Sequence, residues 1–143
     1  MILETINQEW GWLNLNAVEL IVENDFGNLI FRTDDGAYWR MLPENPECIQ
    51  IANTQAEFEK LTTDPEFQLD WRMESLVAMA KLQLGELALG WKYCLKIPAF
   101  LGGEYSKENL GTVPQLEQIG FSGDIARQIH NLPDGTKFKL KIV

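Results

Sequence analysis

Two changes of hydrophobic period divide this chain, and they restrict its fold more than any single motif does. Short apolar runs separated by turn residues fill the first third, helical spacing takes over from residue 54 to 84, and alternation returns at Trp91. Strands, then helices, then further strands predict an α+β domain, with a mostly antiparallel sheet packed against a few helices. At 143 residues the chain has the length of one domain, spanning 1–143. With 45% hydrophobic and 10% aromatic residues it can bury a sizeable core.

Local chemistry refines this order. Ile2, Ile6 and Trp10 recur every four residues and predict a short helix over 2–12. The run Ala17 to Val22 ends in Asn24-Asp25-Phe26-Gly27-Asn28, whose Asn, Asp and Gly suit a turn. A strand over Leu29 to Thr33 then meets Asp34-Asp35-Gly36, a tight turn into Ala37 to Met41. Another strand, Cys48 to Ala52, completes an antiparallel meander. Thr54-Gln55-Ala56-Glu57 has the spacing of a capping box, opening a helix that should stop before Pro65. Leu69, Met73, Leu76, Val77, Ala80 and Leu84 fall on one helical stripe closed by Gly85. Trp71, Ala78 and Leu82 lie off it, so this helix is expected to be central and buried.

From Trp91, residues Trp91, Tyr93, Leu95 and Ile97 alternate with Lys92, Cys94 and Lys96 until Pro98 stops the strand. The loop Leu101-Gly102-Gly103-Glu104-Tyr105 follows, then a short strand over Thr112 to Leu116. Ser122 is placed to cap a helix carrying Ile125, Ile129 and Leu132, with Phe121 as a hydrophobic staple. Pro133-Asp134-Gly135 ends that helix. Lys137 to Val143 alternates lysines with Phe138, Leu140 and Ile142, as a protected edge strand would.

Charge excludes several functions. The net charge is −9, and its distribution is uneven: residues 1–80 hold 15 acidic and 4 basic residues, a net −11, while the remainder is +2. Gripping a phosphate backbone or an anionic membrane needs the opposite balance, so neither nucleic acid nor membrane is an expected partner. The start of the chain lacks a basic and then apolar leader, and no apolar run approaches the roughly 20 residues of a membrane span, so a cytoplasmic location is expected. Cys48 and Cys94, with no CxxC, fit a reducing compartment.

No motif carries a catalytic or metal-binding set. His130, the single histidine, sits where a helix end favours a cation. Cys94 lies between Lys92 and Lys96, a setting that could lower a thiol pKa, but an ordinary solvent-facing strand is the stronger reading. Glu23-Asn24-Asp25 and Asp34-Asp35-Gly36 could supply carboxylates for acid–base or metal chemistry, yet both read first as turns. Gly102-Gly103 lacks the remainder of any phosphate-cradling motif. The expectation is no enzyme, no cofactor, no metal and no catalytic residues.

Five segments in order resemble one family: Asn24-Asp25-Phe26-Gly27-Asn28, Gly36-Ala37-Tyr38-Trp39-Arg40, residues 95–105 (LKIPAFLGGEY), Phe121-Ser122-Gly123-Asp124-Ile125-Ala126, and Leu132-Pro133-Asp134-Gly135. Together they are similar to the C-terminal domain of immunity proteins that protect bacteria from type VI secretion DNase effectors. The resemblance implies a binding protein with an α+β fold, distantly like the SUKH immunity fold, whose partner is a cognate toxin. Longer members resemble a two-part arrangement in which a GAD-like domain precedes this one. This chain starts with the second part, so its toxin-contacting surface is expected to differ.

A DNase must present a basic cleft, and an acidic inhibitor can dock there with steered association. That points to the acidic end, first to Asp34 and Asp35 at the hairpin tip and to Glu44 and Glu47. A different class of function is a small-ligand-binding or regulatory module, with a pocket near Gly102 and Gly103 lined by some of Trp39, Trp91, Tyr93 and Tyr105. An enzyme built on Cys94 or on carboxylates ranks last.

Overall fold

The first third folds as its turns dictate. In a computed structural model that describes residues 1–130 and 132, strands β1 (Ala17–Glu23), β2 (Leu29–Thr33), β3 (Tyr38–Leu42) and β4 (Glu47–Ala52) form an antiparallel sheet in the order β1-β2-β3-β4. Gly36 N donates to Thr33 O at 3.0 Å and closes the β2–β3 hairpin. Register places Phe31 opposite Trp39 and Ile30 opposite Arg40, so adjacent residues face different layers. Leu29, Phe31 and Met41 point into one core, while Ile30, Tyr38 and Ala52 point into another.

Helix α1 (Ile2–Trp10) and helix α5 (Gln115–Ile129) cover the first of these faces, burying Ile6, Trp10, Ile119 and Ala126. Asn7 locks α1 to the sheet edge, accepting from Ala17 N at 2.7 Å and donating to Ala17 O at 3.0 Å. Gly123 is the close point between the two helices: a Cβ there would lie 2.6 Å from the Glu9 carbonyl oxygen. Helices α2 (Gln55–Thr62) and α3 (Pro65–Arg72) cover the other face through Phe58, Phe67 and Trp71. Thr54 caps α2, accepting from Glu57 N at 3.2 Å, and the Glu57 carboxylate reaches back to Asn53 N rather than to the cap itself. A third core sits beside the sheet, where helix α4 (Glu74–Leu84) packs on a separate antiparallel pair, β5 (Trp91–Leu95) and β6 (Leu110–Pro114).

The α+β architecture agrees with the reading from period, but several local expectations are corrected. The stripe from Leu69 to Leu84 is two helices, broken at Met73, whose φ is +49°. Asn24 Nδ2 donates to the Trp71 carbonyl at 2.8 Å at this break, a tertiary bond to a helix-end carbonyl. Nor is this region central: Ala80 is its sole fully buried residue, Leu69 is 63% exposed and Leu82 91%. One face of α4 meets β6 and the Lys107–Asn109 turn before it, and Ala80 on that face packs with Tyr93 and Leu95 of β5.

Ser122 is not a cap. It lies inside α5, buried, with its hydroxyl donating to the Gln118 carbonyl at 2.7 Å, because the helix already begins after Pro114. The strand expected over Thr112 to Leu116 therefore runs from Leu110 to Pro114 instead. The Lys92 side of β5 does not face solvent: Lys92 is 8% exposed, and its ammonium meets Glu23 at 2.8 Å. Trp91 and Ile97, expected on the inward side, are exposed. Pro133-Asp134-Gly135 and the strand expected over Lys137 to Val143 lie outside the described residues. No helix among the described residues is long and apolar enough to cross a membrane.

Candidate functional site

The four carboxylates expected to form a docking surface do not share one place. Asp34 and Asp35 sit in the β2–β3 turn, and Glu44 and Glu47 in and after the β3–β4 turn. The five residues of β3 separate the two pairs by about 16 Å at roughly 3.3 Å per residue. Asp34 is exposed and accepts from Asn16 Nδ2 at 3.2 Å. Asp35 serves the turn, accepting from the Thr33 hydroxyl at 2.5 Å and from Ala37 N at 3.1 Å. The Thr33 bond and then the Ala37 bond hold its carboxyl below the ordinary 3.8.

Glu44 corrects the expectation of a surface charge, since it is only 7% exposed. Its Oε2 accepts from Asn28 Nδ2 at 2.8 Å, and Asn28 Oδ1 accepts in turn from Arg40 Nε at 2.9 Å. Arg40 continues to Asp70 at 2.5 Å, and its guanidinium lies 5.2 Å from the centre of the Trp71 ring. The turn after β1, the strand β3, the β3–β4 turn and α3 are thus joined by one polar chain through the α2–α3 side of the sheet. Asn24 anchors its far end, accepting from Phe26 N and Asn28 N at 3.0 Å while donating to Trp71 O.

Burial pushes the Glu44 carboxyl above its ordinary 4.5, against the opposing pull of its own backbone N–H, Asn28 and Arg40. The folded state therefore holds this proton more tightly than the unfolded chain. Its contribution favours folding fully below about pH 4.5 and is lost as pH rises through the elevated value. Glu44→Gln keeps an acceptor for Asn28 and removes the charge. Chemical denaturation at a series of pH values should show this variant gaining on the wild type as pH climbs from 4.5, and matching or exceeding it at pH 7. Glu44→Ala, which strands Asn28 Nδ2, should instead lose about 1–3 kcal/mol.

The structure brings Tyr105 to this end of the sheet. Burial first, and then the charges of Glu44, Glu47 and Asp70, raise its phenol above 10, so three carboxylates act on one half-exposed ring. Glu47 is half-buried and held by Asn45 Nδ2 at 2.7 Å, while the Asp70 side chain is 70% exposed. Asp70, Arg40 and Asn28 escaped the reading of the sequence. A signal existed for Arg40, a charged residue in the inward register of a strand between Trp39 and Met41, which calls for a buried partner.

Beside this patch lies a cleft of about 380 Å³, bounded by the β3–β4 turn (Pro43, Glu44, Pro46), the end of β5 with the segment to Leu101, and α5 through Phe121 and Ile125. Ala99 N donates to Glu44 O at 2.9 Å and ties two of these walls together. The residues expected to line a pocket are elsewhere. Trp39 packs on the first core, Tyr93 is fully buried with its hydroxyl on Gly85 O at 2.6 Å, and Trp91 stands 40% exposed at the start of β5. Gly102 N and Gly103 N are both spent on backbone carbonyls, of Ala99 and Pro98, so this loop is a turn and offers no anion cradle.

Cys94 does line the cleft, but burial raises its thiol above 9.0 despite the lowering influence of Lys96. Cys48 is pushed up to about 12 by burial. Neither is an activated nucleophile. His130 rests against the Trp12 ring at 4.8 Å, a packing contact at the helix end. Among the described residues, no group of three or more His, Cys, Asp or Glu side chains could hold a metal ion.

The segment from the last residue of β4 through α5 supplies Asp70, Tyr105 and every wall of the cleft except the β3–β4 turn. Residues 52–126 of this same segment match the family described as T6SS immunity protein Tdi1, C-terminal, where T6SS is the type VI secretion system. The matched region contains residues 95–105 and Phe121 to Ala126, two of the segments that carried the resemblance, and leaves the meander carrying Asp34, Asp35, Glu44 and Glu47 outside. No curated protein matches the chain. With more than half of its length matched, this chain belongs to the family of T6SS immunity protein Tdi1, C-terminal.

Proposed function

We propose that this chain is a non-enzymatic cytoplasmic protein that neutralises a cognate T6SS toxin, a nuclease, by docking an acidic surface onto it. The observation that carries the reading is the pair of accessible carboxylates, Glu47 and Asp70, whose charges act with that of buried Glu44 on the half-exposed Tyr105, in a member of an immunity family. A nuclease binds phosphates through a basic cleft, and a surface of this sign and shape competes for it. Tyr105 supplies a rigid aromatic of the kind that dominates interface energetics. Asp34 and Asp35, at the other end of β3, add to the long-range field more than to this contact.

The test uses the cognate T6SS effector, purified as an inactive variant. Glu47→Lys should slow association about tenfold at low salt and flatten its salt dependence. Asp34→Lys should have the smaller effect of the two. An association rate that is the same for Glu47→Lys and the wild type at every ionic strength would sink the electrostatic docking. Rescue of cells expressing the active effector reports the same outcome in vivo.

A further inference from the structure

We infer that the cleft beside Glu44 receives one cationic, amphipathic side chain, an arginine or a lysine, from the protein this chain binds. The inference rests on the toxin-binding reading and names the chemistry of one contact within it.

Shape is the first argument. The walls are apolar over most of their extent, with Pro46, Ile97, Leu101, Phe121 and Ile125 facing the space. Arginine and lysine side chains bury their methylene stems along such surfaces while the charged head seeks a polar partner. Pro43 and Pro46 restrict the backbone of the turn, and the Ala99–Glu44 backbone bond braces it, so little ordering remains to be done on binding.

Charge is the second. Glu44 forms part of the wall, and the charges acting on it are those of Arg40 and Asp70. Arg40 is already engaged with Asp70 and Asn28. One guanidinium thus serves two carboxylates, meeting Asp70 directly and Glu44 only through Asn28, which leaves Glu44 room for a direct cationic partner at the edge of an apolar space. A cation entering there gains a charge-assisted hydrogen bond in a partly dry site, where such bonds are strong. Lys96 lines another wall, and like-charge repulsion directs an incoming cationic head away from it, to the Glu44 side of the cleft.

The first arm of the test needs no toxin. The isotope-labelled full chain is titrated with N-acetyl-arginine amide, N-acetyl-lysine amide and the neutral isostere N-acetyl-citrulline amide, following the backbone amides of Leu101, Phe121 and Ile125 by NMR. The expected result is a saturable shift at these residues, about tenfold tighter for the cationic amides, with the preference lost in Glu44→Gln. Unchanged resonances away from the cleft verify that the variant is folded. Equal responses to citrulline, no saturable shift, or a preference that survives Glu44→Gln each overturn the inference.

The second arm uses the inactive effector. Glu44→Gln should speed dissociation about tenfold or more while leaving the association rate unchanged, as expected when a buried charge contact is lost. A wild-type complex that Glu44→Gln releases no faster overturns the cleft contact and leaves the acidic surface standing. Absence of any wild-type complex overturns the toxin-binding reading, and the amide titration then decides the cleft separately.

Discussion

Arg40→Met should lower the stability of the fold by about 3–5 kcal/mol, the range for removing one partner of a buried ionic network. Methionine has comparable length and keeps most of the packing, so the loss reports the charge and its hydrogen bonds. The Arg40 side chain is 6% exposed and joins Asn28, Asp70 and the Trp71 ring at once. Asp70 would simply return to water, since its side chain is 70% exposed. Glu44 and Asn28 have no such escape, because both are buried, and there the variant leaves an uncompensated carboxylate and an amide oxygen without its donor.

Urea denaturation at pH 7 measures the effect. Adding Glu44→Gln to Arg40→Met should recover a substantial part of the loss, giving a coupling of 1 kcal/mol or more in the double-mutant cycle. A loss below about 1 kcal/mol for Arg40→Met, or strict additivity with Glu44→Gln, would mean that the network does not work as a unit. The same cycle separates stability from docking, because Glu47 and Tyr105 lie outside the Arg40 hydrogen bonds.

Gly123→Val should destabilise the protein by about 3 kcal/mol or more, through overpacking at the crossing of α1 and α5. Glycine inside a helix normally costs about 1 kcal/mol relative to alanine, so a substitution there would stabilise if space allowed. Space does not allow it. A Cβ at 123 would lie 2.6 Å from Glu9 O, 2.9 Å from Glu9 Cβ and 3.0 Å from Glu9 C, two of them backbone atoms that move only if the helix moves. Displacing α1 opens the core around Ile6 and Trp10.

Gly120, one turn earlier on the same helix, is the internal control. Its nearest neighbours would be Glu9 side-chain atoms at 3.9 and 4.0 Å, ordinary contacts. Gly120→Ala should therefore stabilise by about 0.5–1 kcal/mol, while Gly123→Ala should destabilise despite the identical change in propensity. Thermal or urea midpoints decide the signs. If both alanine variants shift the midpoint in the same direction, the close approach at 123 is not what holds the glycine there.

Local chemistry made the meander readable in advance. The turn residues around Asn24 and Asp34 and the two-residue alternation act within a few bonds, and such interactions survive whatever packs above them. The same holds for Thr54, whose capping bond spans three residues. The break at Met73 was not readable, because the partner that meets the chain there, the Asn24 amide, lies 49 residues earlier in the sequence. Ser122 misled for a related reason: its bond to Gln118 O is available only inside a helix that begins at Gln115, and a local pattern cannot distinguish that from a cap.

The candidate site divides along the same line. Acidic excess in the first 80 residues pointed to carboxylates, but not to which of them share a surface. By itself, the sequence determined the α+β class, the order of the meander and the sign of the charge, since these follow from composition and from interactions between near neighbours. Only the tertiary structure buried Glu44, joined it through Asn28 and Arg40 to Asp70, and parted Glu44 and Glu47 from Asp34 and Asp35. Charge position depends on which chain ends β3 and α3 present to each other, and that is decided by packing across the sheet.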